Sequence, residues 1–261
     1  MIVTTGDSTS PEWIELAKHI AEEISARYVV RSGQSVPRMA KKYREEDFLI
    51  LLEDRVRFVR VGQTDMVYHP SMAFIRAKRL LSGRSEGMIV AARAEEGDVV
   101  LDCTAGLGSD SLVFSVAVGE RGRVIACESE LSLYALVKTG LTHYMSQVPV
   151  INEAMRRIEM RHAKHLDLLK QLEDKSVDIV YFDPMFRVPV EESASIEPLR
   201  QVANHESLTH EAIHEAKRVA RKTVVLKELK HSGEFERLGF ERIERTGTKL
   251  AYGVIEIADN N

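Results

Sequence analysis

Three stretches of this chain set chemically capable residues at useful spacings. The first is Leu101-Asp102-Cys103-Thr104-Ala105-Gly106-Leu107-Gly108-Ser109-Asp110. Gly106 and Gly108 permit tight backbone turns and let a ligand approach the main chain closely. Asp102, four positions before the first glycine, can hold an ammonium group or order the loop. A dinucleotide site would want a third glycine where Ser111 stands, so a nicotinamide cofactor is weakly supported. The second stretch centres on Glu128, 20 residues after Gly108. A carboxylate at a strand end there can accept hydrogen bonds from both hydroxyls of a ribose. The third is Asp183-Pro184-Met185-Phe186, directly after the apolar run Val177 to Phe182. An Asp-Pro pair alone is commonplace in turns; its place behind such a run gives it weight.

The elements that must position these residues follow from periodicity. From Gly97-Asp98 onward strands and helices alternate. Strands are expected at Val99 to Asp102, Arg123 to Cys127, Glu159 to Arg161, Val177 to Phe182 and Thr223 to Leu226. Helices are expected at Asp110 to Val118, Leu131 to Met145, Glu153 to Ile158, Leu166 to Leu172 and Ser207 to Ala220. Phe240 to Thr246 and Leu250 to Ile257 read as a terminal antiparallel pair. Alternation of this kind argues for a parallel sheet wrapped by helices, with ligands beyond the C-terminal strand ends. Before Gly97 the pattern is mixed. Ile2 to Thr5 is a short apolar run, and Ser10-Pro11 starts a helix with Trp13, Leu16, Ala17, Ile20 and Ile24 on one face. Tyr28-Val29-Val30 reads as a strand, Val36 to Tyr43 as a basic helix and Ser71 to Leu81 as a helix. Phe48 to Leu52 and Val56 to Val61 form a hairpin. The expected organisation is an α+β N-terminal region over 1–96, able to bind RNA or cap the fold, and an α/β domain over 97–261.

The glycine loop with its preceding acid resembles motif I of class I S-adenosylmethionine methyltransferases, D-x-x-x-G-x-G. The Asp183 tetrapeptide resembles the [D/N/S]-P-P-[Y/F/W] of amino-group methyltransferases, with Met185 in place of the second proline. Asp102 to Asp110, Val180 to Phe186 and Thr223 to Lys227 together resemble the bacterial small-subunit rRNA guanine-N2 methyltransferase family that carries D-P-M-[F/Y]. The resemblance runs from about Val99 to Glu228. It implies a Rossmann-like methyltransferase fold, S-adenosylmethionine as cofactor and a guanine in rRNA as substrate. It further implies catalytic roles for Asp183, Pro184 and Phe186: the carboxylate and a backbone carbonyl accept hydrogen bonds from the exocyclic amine, and the ring stacks on the base. Cofactor contacts are implied at Asp102, Thr104, Gly106, Gly108, Ser109, Asp110, Glu128, Ser129, His162, Ala163 and Asp183. Lys164 and His165 replace the family's small polar pair after His162-Ala163, and Arg187 replaces its usual proline. Lys227 and Arg76 are candidates to meet substrate: phosphate or base carbonyl for the first, cofactor or RNA for the second.

Composition bounds these readings. The 261 residues are 44% hydrophobic and 29% charged, ordinary for a globular protein. Two cysteines, Cys103 and Cys127, rule out a disulfide framework and a four-cysteine zinc site, and suit a reducing cytoplasm with the thiols as buried filler. Neither H-E-x-x-H nor C-x-x-C spacing occurs, so no metal is expected; nor does a G-x-S-x-G elbow. No run of about 18 apolar residues predicts a membrane span, and the first residues lack the pattern of a signal peptide. Net charge is −4, yet Arg27 to Arg93 carries 14 Lys/Arg against 7 Asp/Glu. That basic segment suits a polyanion held near a less basic catalytic domain. Two other classes stay open: a methyltransferase for a small molecule or protein side chain, and a non-catalytic RNA-binding protein with a vestigial methyltransferase fold.

Overall fold

A computed structural model describes residues 1–185, 202, 204, 206–243 and 249–258. By compactness these residues separate into two units, the first built from 1–69 and 130–145, the second from 70–129, 146–185 and 204–258. Each is given by itself.

The first unit holds strands β1 (Ile2–Thr5), β2 (Arg27–Tyr28), β3 (Asp47–Leu52), β4 (Arg55–Arg60) and β5 (Met66–Val67), with helices α1 (Pro11–Glu23) and α2 (Val36–Tyr43). The sheet order is β2-β1-β3-β4-β5, with β1 parallel to both β2 and β3. Parallel neighbours need crossover segments, which α1 and α2 supply. Val36 and Met39 of α2 bury against Ile2, Phe48 and Ile50, leaving Arg38, Lys41 and Lys42 exposed. β3 and β4 form the expected hairpin, turning at Glu53-Asp54. A later helix, α6 (Leu131–His143; α3 to α5 lie in the second unit), packs on β3 and β4. Gly140 makes that packing possible: a Cβ there would lie 2.0 Å from the ring of Tyr68.

The second unit begins with α3 (Ser71–Leu81) and α4 (Gly87–Ala92). Then come β6 (Val99–Asp102), α5 (Ser109–Val118), β7 (Arg123–Glu128), α7 (Pro149–Arg156), β8 (Ile158–His162), α8 (His165–Gln171) and β9 (Val177–Phe182). After them lie α9 (His210–Val219), β10 (Ala220–Leu229), α10 (Glu234–Leu238), β11 (Glu241–Ile243) and β12 (Leu250–Glu256). Among the described residues these strands form a seven-stranded sheet in the order β11-β12-β10-β9-β6-β7-β8. β8, β7, β6, β9 and β10 run parallel, while β12 is antiparallel to β10 and β11. This is the expected α/β Rossmann-like methyltransferase sheet. Ile179, Val180, Tyr181 and Phe182 are all fully buried, as a central strand covered on both faces requires. Leu101, Val180, Val224 and Leu226 share one core with Ile213 and Ala216 of α9.

Several boundaries differ from the sequence reading. α7 starts at Pro149 rather than Glu153. Proline suits the first helical turn, and Asn152 accepts from the Ser146 backbone N–H and hydroxyl at 2.8 and 2.7 Å, fixing the entry. β10 runs three residues beyond Leu226, because Lys227 to Leu229 pair with Leu250 to Tyr252 of β12. The short helices α4 and α10 carry too few turns for a periodic signal.

Candidate active site

The parallel register places the chemistry. Asp102, at the end of β6, lies beside Ala126 on one side and Tyr181 on the other. The backbone then enters the turn before α5, where Gly106 and Gly108 take φ of +51° and +72°. Those left-handed values favour glycine at both positions. Asp102 is buried and orders the turn: it accepts from the Thr104 backbone N–H at 3.1 Å and from the Ser111 hydroxyl at 2.5 Å. Burial raises its carboxyl to about 7 against the Ser111 hydrogen bond, with the Asp110 charge adding to the rise.

Glu128 closes β7 next to that turn. Its Oε2 accepts from the Gly106 backbone N–H at 3.0 Å. The Ala163 N–H donates to the Glu128 carbonyl at 3.0 Å, and His162 Nε2 lies 3.0 Å from the Ser129 carbonyl. Thus the glycine turn, Glu128-Ser129 and His162-Ala163 lie at the C-terminal ends of the adjacent strands β6, β7 and β8. His165 sets its ring edge-on to Phe182 at 5.8 Å, and burial lowers its basicity.

Asp183 follows β9 and is held from both neighbouring strand ends. Its backbone N–H donates to the Thr104 hydroxyl at 2.6 Å, and its Oδ2 accepts from Lys227 Nζ at 2.6 Å. Lys227 stands there because Leu226 pairs with Phe182 in the β9–β10 ladder. Burial pushes the Asp183 carboxyl up to about 6, against the pull of Lys227 and with the push of Asp110. Pro184 and Met185 follow, half-buried. Phe186 lies outside the described residues.

Three of the expected site residues pair with one another beside Asp183. Asp110, expected beside a cofactor, is buried and spends its oxygens on side chains. It accepts from Arg76 Nη1 at 2.5 Å, Tyr181 Oη at 2.6 Å and Lys227 Nζ at 2.9 Å. Burial works to raise its pKa, and the Lys227 and Arg76 cations outweigh it and hold the carboxyl well below the usual range. Arg76, expected to face cofactor or RNA, is tied to Asp110 and to Glu86 at 2.9 Å. Lys227, expected to meet phosphate or a base carbonyl, contacts two carboxylates. Burial opposes its charge, yet Asp110 and Asp183 hold its pKa above the ordinary value. Tyr181 and Glu86 escaped the sequence reading: the first looks like strand filler, and the second lies in a stretch without a motif.

Cys103 and Cys127 are buried free thiols. Among the described residues no group of His, Cys, Asp and Glu could hold a metal ion, and no helix is long and apolar enough to cross a membrane. In the first unit, Arg27 to Arg44 contains six Lys/Arg and no Asp/Glu. Arg38, Lys41 and Lys42 line an open hollow of ≈ 580 Å³ with Ser32, Gly33 and Gln34. Arg27 and Lys42 each lie 5.0 Å from the ring centre of Tyr43. Asp7 accepts from the Gly33 backbone N–H at 2.7 Å.

Comparison with known proteins agrees with this architecture. The chain is 41% identical over 255 residues to "Uncharacterized protein YpiP" of Bacillus subtilis, covering 98% of this chain and 99% of that one. It is 26% identical over 228 residues to "Ribosomal RNA small subunit methyltransferase J" of Acinetobacter baumannii, covering 81% and 80% of the two chains. The crystal structure of the SAM-dependent methyltransferase NGO1261 from Neisseria gonorrhoeae superposes with a TM-score of 0.68 at 18% identity, over 100% of this chain and 98% of that one, which shows the shared fold. The family described as "Putative SAM-dependent methyltransferase" matches residues 10–238, and the chain belongs to it: it is an S-adenosylmethionine-dependent methyltransferase of the class I fold.

Proposed function

We propose that this methyltransferase acts on the exocyclic N2 amine of a guanine in small-subunit rRNA. The observation that carries the reading is Asp183: a carboxylate at the end of β9, fixed by Thr104 and Lys227, opening the sequence Asp-Pro-Met-Phe. The relative named for small-subunit rRNA methylation supports RNA as the substrate. The reading sets the chain beside the ribosome in the cytoplasm. The cofactor, when bound, supplies an electrophilic methyl group on a sulfonium sulfur. In this reading Glu128 and Ser129 hold the ribose, the turn from Thr104 to Ser109 lines the cofactor's amino-acid end, and His162-Ala163 border the adenine.

The chain's own residues then prepare the acceptor. A guanine amine is a poor nucleophile because its lone pair is delocalised into the ring. Asp183 accepts an N–H hydrogen bond, returns electron density to nitrogen and fixes its line of approach. Asp183 would keep the amine nitrogen on the line to the methyl group that the cofactor would supply, and the proton the nitrogen gives up would pass to this carboxylate, its hydrogen-bond acceptor, and on to water. Pro184 shapes the turn that presents its carbonyl, and Phe186, by its sequence position, stacks on the base. Methylation of a small molecule or a protein side chain would need no basic face. The test is transfer of labelled methyl from S-adenosylmethionine to small-subunit rRNA, with nucleoside mass analysis. N2-methylguanosine is expected; label on another nucleoside, or on no RNA, overturns the reading. Asp183→Asn keeps the shape but removes an acceptor, and should slow single-turnover transfer roughly 100- to 1000-fold.

A further inference from the structure

Five charged side chains form a continuous line through the second unit: Glu86, Arg76, Asp110, Lys227 and Asp183. Arg76 joins Glu86 to Asp110, and Lys227 joins Asp110 to Asp183 at 2.9 and 2.6 Å. The members come from the start of α4, from α3, from α5, from β10 and from the end of β9. Tyr181 adds a hydroxyl to Asp110, and Tyr252 of β12 pairs in register with Lys227. Asp110 is buried and the other four are largely covered; taking charges out of water is costly, and apolar residues of similar volume would often pack as stably. Such a line is understandable if the geometry of its last member matters, and that member is Asp183.

We propose that Lys227 is a positioning residue for the acceptor carboxylate: it clamps Asp183 Oδ2, sets the rotation that presents Oδ1 to an incoming amine, and keeps the carboxylate charged. This rests on the reading of Asp183 as the amine's hydrogen-bond acceptor. Asp110 anchors Lys227 from behind, and Arg76 neutralises Asp110 so that Lys227 is not drawn wholly away from Asp183. Both carboxylate contacts of Lys227 lie on Oδ2 atoms, so Lys227 itself does not occupy Oδ1 of Asp183; the Asp110 carboxyl is also within hydrogen-bonding reach of Asp183. Among the described residues, the groups facing Asp183 are Lys227 of β10, Asp110 of α5, Asp102 of β6 and Tyr181 of β9. Burial and the two aspartates favour the neutral carboxyl; among the described residues Lys227 is the cation that opposes them. Without it a protonated Asp183 would offer a donor where the amine needs an acceptor.

The experiment follows the Asp183 carboxyl by carbon-13 NMR in full-length protein labelled at aspartate, assigned with Asp183→Asn, alongside single-turnover methyl transfer across pH. Lys227→Met should raise the Asp183 midpoint by about one unit or more, and the acid limb of the transfer rate should move upward by the same amount. Lys227→Arg should keep both close to wild type. If Lys227→Met does not fold, as judged by S-adenosylmethionine binding, Lys227→Gln carries the same test. An unmoved Asp183 midpoint in the neutral variant overturns the proposal, as does a rate loss equal at every pH, or Lys227→Arg behaving like Lys227→Met. The NMR titration needs no RNA, so a failure of the rRNA reading leaves it decisive.

Discussion

The backbone N–H of Gly106 donates to Glu128 Oε2 at 3.0 Å, tying the acid at the end of β7 to the turn that opens α5. In the proposed reading this carboxylate holds the cofactor's ribose, so its loss would remove both the ligand's acceptor and the turn's anchor. Glu128→Ala should weaken S-adenosylmethionine binding by about 1.5–3 kcal/mol, the range for a hydrogen bond to a charged group, or about 10- to 150-fold in Kd. Glu128→Gln, which keeps one oxygen for Gly106, should lose less. Calorimetry decides: unchanged affinity in Glu128→Ala removes Glu128 from the site, and tighter binding of NAD than of S-adenosylmethionine by wild type removes the site itself.

Asp102 makes a pH prediction of definite sign. Its carboxyl sits at about 7 in the folded chain, above the unfolded value of roughly 3.9. Between those values the folded state binds the extra proton, so this residue's contribution to stability falls as pH rises from about 4 to about 7. The whole effect is no more than about 4 kcal/mol. Asp102→Asn mimics the protonated form and should flatten that part of the profile. Chemical denaturation at pH 5 and pH 7.5 checks it; an identical pH difference in Asp102→Asn and wild type would place the carboxyl's pKa near normal.

Gly140 tests the packing of α6. A Cβ would lie 2.0 to 2.5 Å from the Tyr68 ring, and Tyr68 is buried. Gly140→Ala should therefore destabilise by about 1–3 kcal/mol, the usual cost of overpacking, despite alanine's better helix propensity. Pairing it with Tyr68→Ala should recover part of the loss, because the clash is then absent. Thermal unfolding of the two single variants and the double variant measures this; additive losses would show that the contact does not govern the helix.

How far the sequence reached follows from what local pattern encodes. The strand ends bearing Asp102, Glu128 and Asp183 were readable, because apolar runs bounded by Gly, Pro and acids mark parallel strands directly. The line from Arg76 to Asp183 was not. Lys227 lies 44 residues from Asp183 and 117 from Asp110; the β9–β10 register brings it to Asp183, and Asp110 reaches it from the first turn of α5. α6 follows β7 in the chain, where an alternating pattern suggests packing on the second sheet. Its Leu133, Ala135, Leu136, Val137 and Leu141 are all buried, so it shows no single apolar stripe to say which sheet it covers. Phe186 lies outside the described residues, and its role stays with the motif.

The basic face of α2 supplies the last prediction. Val36 and Met39 point into the core, which leaves Arg38, Lys41 and Lys42 around the hollow with Ser32, Gly33 and Gln34. Cations at this spacing suit the phosphates of a nucleic-acid backbone, where each neutralised phosphate releases counterions. The excess charge recognises no sequence, so it should hold RNA while Asp183 selects the base. Reversing Arg38, Lys41 and Lys42 to glutamate should raise the dissociation constant for rRNA and flatten its salt dependence. Three lost phosphate contacts remove about 2 from the slope of log K against log salt for a single strand. Affinity for S-adenosylmethionine should stay as in wild type, because none of these side chains belongs to the glycine turn or to the ends of β6, β7 and β8. Filter binding between low and physiological salt, with calorimetry for the cofactor, separates the two. A triple variant that binds rRNA with wild-type affinity and slope would make the α2 face a solvated surface with no part in RNA capture.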